Sequence, residues 1–356
     1  GEKNDYGYSL LELKDGGFII CGETASFGAG GYDVYLIRTD SEGNGKWSKI
    51  YGGRGEDVGR SIQQTFDDGF IIAGETNSFG MGSYDVYLIR IDEVGKLLWT
   101  RTYGGGSKDF GRCVQETIDG GYIVCGSSFS FGMGGEDEDA YLIKTDVEGN
   151  LVWSKIIGGD NTDYAHSVFG TKSDEYVPMP EKFIITGYTT TFGAGEADVF
   201  LAKATRYGTI LWYKTYGGLY QDWGGGIYQT FDGNYIICGV KKLIPATPDG
   251  WLLKIDNNGD ILWDKTYGGN NADEFYKVYE QNDKTIVTMG NTKSYSADGY
   301  SDGLIMKLAA NGDSLWARVY KKAPAGFHEY FWDLKPTPDG GFIIAGQTQD
   351  SSRSEE

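Results

Sequence analysis

A fifteen-residue phrase, DVYLIRTDSEGNGKW, occupies Asp33 to Trp47 and returns as DVYLIRIDEVGKLLW from Asp85 to Trp99. Aligned on its tryptophan, it recurs at Trp47, Trp99, Trp153, Trp212, Trp263 and Trp316, at intervals of 52, 54, 59, 51 and 53 residues. Nothing else in the chain constrains its fold so tightly. A short unit repeated in this way cannot bury its apolar surface alone and must stack on its neighbours, and a period near fifty falls in the range of propeller blades.

Each copy contains four strand-like segments, the number a blade needs. The second copy reads GRSIQQT, GFIIAGET, DVYLIRI and KLLWTRTYGG. Tight turns join the segments: DDG at Asp67 to Gly69 and DEVG at Asp92 to Gly95 supply the Asp and Gly that hairpins prefer. VYLIR and FIIAG are apolar at consecutive positions, as expected of strands covered on both faces by neighbouring sheets. The composition agrees, since 56 glycines, 7 prolines and 15% aromatics suit short strands and tight turns.

The expected fold is therefore all-β, a β-propeller of four-stranded antiparallel blades forming one domain over 1–356. Its blades span 1–53, 54–105, 106–159, 160–218, 219–269 and 270–320. A seventh repeat, 321–356, matches only the first two segments, FHEYFWDLKPTPDGGFIIAGQT, before QDSSRSEE takes over. Six complete repeats plus a two-stranded seventh predict a seven-bladed ring. The aligned tryptophan is expected to fill the wedge between blades near the rim.

The stretch YGGRGEDVGRSIQQTFDDGFIIAGETNSFGMGSYDVYLIRIDEVGKLLW resembles the bacterial and archaeal β-propeller repeat family of secreted and surface proteins. Units of that family read roughly GGxxxDxxxxIxxDxxGxxxxxGxTxS and then DxxxxKxDxxGxxxW. The resemblance covers essentially the whole chain and is weakest in 171–182 and 240–250. It implies a propeller, most often seven-bladed, and a secreted, extracellular or cell-surface location. It carries no shared chemistry.

With 32 basic and 51 acidic residues the formal charge is -19, so nucleic acid and anionic membrane are not expected as partners. No apolar run approaches the roughly 20 residues that span a bilayer, and GEKND opens the chain without a signal-peptide core, as in a processed or recombinant mature form. Cys21, Cys125 and Cys238 fall at one repeat position shared with Ala73, Thr186, Met289 and Ala345, a small-residue packing slot. Cys113 and Cys125 flank one hairpin and are the only candidate disulfide.

In a propeller the first segment lines the central channel, the fourth lies at the rim, and the loops after segment two share a face with the blade connections. Both loop types carry repeated aspartates: Asp5, Asp57, Asp109, Asp163, Asp222 and Asp273 after the GG connection, and Asp33, Asp85, Asp139, Asp198 and Asp302 before segment three. They read as backbone caps, against a ring of carboxylates for Ca²⁺ or sugar hydroxyls. Glu136, Asp137, Glu138 and Asp139 depart from the repeat and form a candidate Ca²⁺ set, against a solvated acidic loop. No other cofactor is expected. DNNGD at Asp256 to Asp260 is a hairpin turn, and Phe27, Phe79, Phe131 and Phe192 of the SFGAG-like loops are anchors.

Catalytic chemistry has little to draw on. His166 and His328 are the only histidines, and no GxSxG elbow or Cys/His metal spacing occurs. TDSEGNGKW distantly resembles the Asp box of sialidases and the tryptophan motif of quinoproteins, where the motif is structural, and its spacing fits neither. The leading expectation is a binding or assembly module without catalysis. Its docking edge is the last strand, Gly340, Gly341, Phe342, Ile343, Ile344, Ala345 and Gly346, open to a protein partner or a second copy. The competing expectation is a glycan-binding or glycan-cleaving propeller, with Tyr32, Tyr84, Trp223, Trp251 and Tyr300 stacking on carbohydrate and Asp33, Asp85, Asp198 and Asp302 taking hydroxyls. A quinone-dependent oxidoreductase is the third.

Overall fold

The computed structural model describes residues 2–133, 137–171, 182–243, 247–296, 299–321, 327–337 and 340–350. Its 26 strands form six four-stranded antiparallel sheets and one two-stranded sheet, and the described residues contain no helix. Each four-stranded sheet is a simple meander: the first blade runs Asp5–Glu12, Phe18–Thr24, Asp33–Thr39 and Gly45–Tyr51, and the second Asp57–Gln64, Phe70–Thr76, Asp85–Ile91 and Leu97–Tyr103. The sheets follow one another around a ring, with the first strand of each innermost and the fourth at the rim.

The consecutive apolar positions are explained by what lies on each face. Along Phe70–Thr76, Phe70 and Ile72 pack with Ile19, Val34 and Leu36 of the first blade, while Ile71 and Ala73 pack with Val114, Tyr122 and Val124 of the third. Alternate side chains thus enter two different inter-blade cores, and no face is left for water. Complete burial of each such Ile or Leu contributes about 1.5–3 kcal/mol. The tryptophans sit where expected. Trp47, Trp99, Trp153, Trp212, Trp263 and Trp316 each border the core shared with the next sheet.

The two-stranded sheet, Phe327–Pro336 paired with Phe342–Asp350, is inserted between the sixth blade and the first. On one flank the Ser9 hydroxyl and the Leu10 N–H both donate to Asp333 Oδ2 at 3.0 Å. On the other, Phe331 N–H donates to Asn291 Oδ1 at 3.0 Å and Glu329 N–H to the Ser301 carbonyl at 2.8 Å. The chain itself therefore builds six complete blades, and the expected seventh is represented by two strands.

Every innermost strand carries a register shift at the same place, including Gly7/Ser9, Gly59/Ser61, Ala165/Ser167, Phe275/Lys277 and Phe331/Asp333. A bulge adds one residue that has no partner opposite it and re-aims the side chains around it. Here it turns two successive side chains, such as Tyr8 and Ser9, toward the axis of the ring.

The candidate disulfide does not form. Cys113 and Cys125 are opposed in register, yet all four cysteines are free. The two thiols are hydrogen-bonded to each other, and the Cys113 Sγ also approaches the Val168 carbonyl at 3.7 Å.

Candidate functional site

Three places on the ring merit a functional reading: the loop mouth, the axial channel, and the gap outside the two-stranded sheet.

At the loop mouth the repeated aspartates are turned inward. Asp57 accepts from the Gly53 N–H at 2.7 Å, the Ser78 hydroxyl at 2.6 Å and the Thr76 hydroxyl; Asp109 repeats the pattern with Gly105, Ser130 and Ser128. The second series caps the loop before it: Asp33 accepts from Ala29 N–H at 2.9 Å and Asp198 from Ala194 N–H at 2.7 Å. Asp33, Asp85, Asp198 and Asp302 are only 1–2% exposed. The two series meet on the first glycine of each GG connection; a Cβ at Gly52 would lie 2.1 Å from Asp33 Oδ1 and 2.6 Å from Asp57 Oδ2. Burial, reinforced by Asp109, raises Asp85 from its ordinary 3.8 to about 6, and burial with Asp163 nearby does the same to Asp139.

The acidic run is dispersed. Glu136 lies outside the described residues, Glu138 accepts from the Ser127 hydroxyl, and Asp139 caps Met133 N–H at 2.5 Å. Among the described residues no three His, Cys, Asp or Glu side chains converge as a metal site. Phe27, Phe79 and Phe131 anchor their loops on Tyr35, Tyr87 and Tyr141, with ring centroids 5.6–5.9 Å apart.

The aromatic residues expected at the mouth separate. Tyr32 stacks near Tyr6, Tyr84 near Phe110 and Tyr300 near His328, each on its own blade junction. Trp223 belongs to the channel wall. Trp251 is 3% exposed between the fourth and fifth blades, out of reach of a ligand at the mouth, because its strand is covered on both faces.

Around the upper channel, residues at and before the bulges form a continuous belt. Arg60 lies over Tyr8 at 4.4 Å, bonds Glu75 Oε1 through Nη2 at 2.7 Å, and shares that oxygen with Arg112. Arg112 lies over Tyr164, followed by His166, Trp223, Tyr276 and Trp332 at successive centroid spacings of 4.6, 6.0, 5.5 and 5.3 Å. Burial first, then the Arg112 and Lys277 charges, pushes His166 down to about 3, so the imidazole is neutral. Glu75 Oε2, Arg112 Nε and Trp332 Nε1 are buried with no hydrogen-bond partner among the described residues. Sequence reading placed the innermost strands at the channel but did not find the bulge; its only trace is the recurrent small residue at positions such as Gly7, Gly59, Gly111 and Ala165.

The gap is defined by what the other junctions contain. Tyr51, Tyr103, Tyr216 and Tyr267, at the ends of fourth strands, donate their hydroxyls to the turn carbonyls of Gly95, Gly149, Gly259 and Gly312 in the following blade at 2.6–2.7 Å. Lys214 and Lys265 reach the same turns through Asp260 and Asp313 at 2.7 and 2.6 Å. In the sixth blade the equivalent residues meet no turn among the described residues. Tyr320 is 42% exposed where Tyr51, Tyr103 and Tyr216 are 7–9%.

The far flank is equally bare. A Cβ at Gly95, Gly149, Gly208 or Gly312 would touch the tryptophan of the preceding blade at 2.8–3.2 Å, whereas one at Gly43 of the first blade would meet nothing within 4 Å. Between these flanks lies Phe342–Asp350, for which no third strand exists among the described residues. Phe342, Ile343 and Ile344 are half-buried, though Phe70, Ile71 and Ile72 at the same repeat positions are 0–1% exposed. Gly340 and Gly341 lie in the turn before the strand, and Ala345, at 6%, is the one closely covered side chain among its described residues.

No family model and no curated protein matches the chain. Solved structures share its fold at low identity. Drosophila Plexin A in complex with Semaphorin 1b is 9% identical with a TM-score of 0.55, covering 98% of this chain and 84% of that one. Sqt1 from Chaetomium thermophilum is 10% identical with a TM-score of 0.52 over 97% and 95%, and the periplasmic gluconolactonase PpgL of Pseudomonas aeruginosa is 9% identical with a TM-score of 0.52 over 88% and 84%. These likenesses establish the class, a β-propeller of repeated four-stranded blades; at such identities they carry the fold alone.

Proposed function

We propose that the protein is a non-catalytic binding and assembly module, extracellular or at a cell surface, whose docking place is the gap between the sixth and first blades. The setting rests on the family resemblance. The docking place rests on one observation: among the described residues the Tyr320 hydroxyl and Gly43, on opposite flanks, lack the turn and the tryptophan that their counterparts meet at other junctions.

The occupant is a β-hairpin with the repeat's own third- and fourth-strand pattern. Its first strand pairs with Phe342–Asp350. Its turn offers a glycine carbonyl to Tyr320, and its second strand lays a tryptophan on Gly43. It completes a seventh blade by strand addition, in which backbone bonds give affinity and side-chain pockets give specificity. A second copy is a poor donor through its own last strand, because flanking blades two strands deeper on each side keep two such edges apart.

The test is calorimetric titration of the intact chain with a peptide of the sequence of residues 85–105, beside light scattering of the chain alone and of a chain lacking 321–356. One peptide per chain, weakened by Tyr320→Phe, supports the reading; no uptake together with a concentration-independent monomer overturns it. A further arm extends the chain at its amino end with the same hairpin. Residues 3–5 follow the path of a blade connection, since Lys3 N–H donates to Ser26 Oγ at 3.0 Å as Gly55 N–H does to Ser78 Oγ at 2.9 Å. If the extended chain seats that hairpin and then takes up no peptide, the gap is the ring's own closure and the assembly reading falls.

A second reading, carbohydrate binding, is favoured by the aromatic belt together with the unpartnered Glu75 Oε2, Arg112 Nε and Trp332 Nε1. Glycan-array binding lost in Trp223→Ala would support it, and a hydrolase screen would separate binding from cleavage.

A further inference from the structure

Below the aromatic belt the innermost strands line a cavity of about 220 Å³. The seven strands do not contribute equally. Ser9, Ser61, Cys113 and Ser167 are short, and this is what leaves the space; Lys277 and Lys335 project into it from the side formed by the sixth blade and the two-stranded sheet.

The charges in this cavity do not balance. Asp333 is the only carboxylate among its lining residues. Its Oδ2 is taken by the Ser9 hydroxyl and the Leu10 N–H, and its Oδ1 accepts from the Leu334 N–H, all at 3.0 Å. The two ammonium groups stand off from it, Lys277 at 3.7 Å and Lys335 at 3.9 Å, within ion-pair range but beyond a hydrogen bond. Lys335 donates to the Tyr279 hydroxyl at 3.0 Å. The Lys277 ammonium makes no hydrogen bond among the described residues, so three donors are directed into the cavity, where the Lys277 and Lys335 side chains stay 34% and 29% exposed.

The surrounding amides have the same polarity. Gln63 and Gln115 use their carbonyl oxygens to accept from the backbone N–H groups of Glu116 and Gly170, which leaves their NH₂ groups as donors at the wall. Ser61 Oγ accepts from Val114 N–H at 3.3 Å, and its hydrogen is free to point inward. Two cations, one saturated carboxylate and a wall of donors sit at the axis of a chain whose formal charge is -19. Two neighbouring ammonium groups in a confined, half-buried space repel one another, and an anion with several acceptor oxygens relieves that repulsion while taking charge-assisted hydrogen bonds from both.

We infer that this cavity is a binding site for one small oxyanion of the phosphate or sulfate type, held by Lys277 and Lys335 with the Gln63 and Gln115 amides. The site is independent of the gap at the sixth blade. It is reached from the face opposite the loop mouth, where a wider vestibule shares Leu11, Tyr228 and Lys335 with the cavity wall.

Isothermal titration of the full chain with inorganic phosphate, and separately sulfate, against chloride at matched ionic strength tests this. Saturable binding of one anion per chain is expected, at least tenfold weaker in Lys277→Gln and abolished in Ser167→Leu, which fills the space without changing charge. Retention of affinity within a few-fold in Lys277→Arg shows that the cation, and not merely packing, is required. The Cys113 thiol lies in the same wall, so occupancy should also slow its alkylation severalfold in the wild-type chain, a readout that needs no variant to fold. No heat above the chloride control with unchanged Cys113 reactivity, or binding that survives both Lys277→Gln and Ser167→Leu, overturns the assignment.

Discussion

Tyr103→Phe and Tyr320→Phe make one chemical change at one repeat position in two surroundings. Tyr103, 9% exposed, donates to the Gly149 carbonyl at 2.6 Å, whereas Tyr320 is 42% exposed and meets no turn among the described residues. Phenylalanine keeps the ring volume, so no cavity contributes. What Tyr103→Phe loses is the net value of the hydrogen bond together with the cost of stranding the Gly149 carbonyl in a buried place, about 1–3 kcal/mol. Tyr320→Phe in the free chain should change stability by no more than about 0.5 kcal/mol. Urea unfolding followed by tryptophan fluorescence measures both, as a shift in midpoint at constant slope. With the 85–105 hairpin present in excess, Tyr320→Phe should acquire a penalty of about 1 kcal/mol, read as roughly fivefold weaker hairpin binding. Equal destabilisation of the free chain by the two substitutions would refute the claim that Tyr320 lacks its partner. Silence at both positions would refute the value assigned to the junction hydrogen bond.

Three further outcomes follow from the same structure. Asp109→Ala strands the Gly105 N–H and the Ser128 and Ser130 hydroxyls and should cost about 3 kcal/mol or more in urea unfolding, while an exposed aspartate such as Asp160 should tolerate alanine within about 0.5 kcal/mol. Asp85 and Asp139, raised to about 6, bind protons more tightly folded than unfolded, so stability falls as pH rises from about 4 to about 6; Asp119 and Asp283, held down to about 2 by Lys144 and Thr117 and by Thr285 and Lys307, lose their contribution as pH falls below about 4, and a thermal-melt series should peak near pH 4. Four thiols should titrate in the denatured, unreduced chain, and in the native chain Cys113, lowered to about 6 chiefly by its hydrogen bond with Cys125, should react ahead of the three fully buried ones.

Much of the fold was legible because the repeat states each requirement many times. Four segments per unit, Asp-Gly turns and the wedge tryptophan all return in the structure, as does the two-stranded remainder after the sixth blade. The aspartate series was legible in kind: a residue required in every loop is required by that loop, and Asp57, Asp109 and Asp273 each cap one. Less could be read where a position's role depends on its neighbours across a junction. Trp251 and Trp223 are both loop-proximal tryptophans of the fifth repeat, yet one is buried between blades and the other lines the channel. The buried cations Arg38, Arg90, Lys144 and Lys254, paired with the turn aspartates Asp15, Asp67, Asp119 and Asp232, went unread because each pair is more than twenty residues apart in sequence.

The sequence by itself determined the strands, their order within a blade and the number of complete blades, since these follow from local periodicity and turn chemistry repeated along the chain. Tertiary structure alone decided which deviations from the repeat matter. Lys277, Lys335 and Asp333 come from two different repeats and become neighbours only at the axis, where the innermost strands converge. Tyr320 and Gly43 lie at opposite ends of the chain and flank one gap only because the ring brings the sixth blade round to the first. Closing a ring juxtaposes residues that no local pattern connects, and the charge imbalance and the exposed tyrosine are properties of that closure.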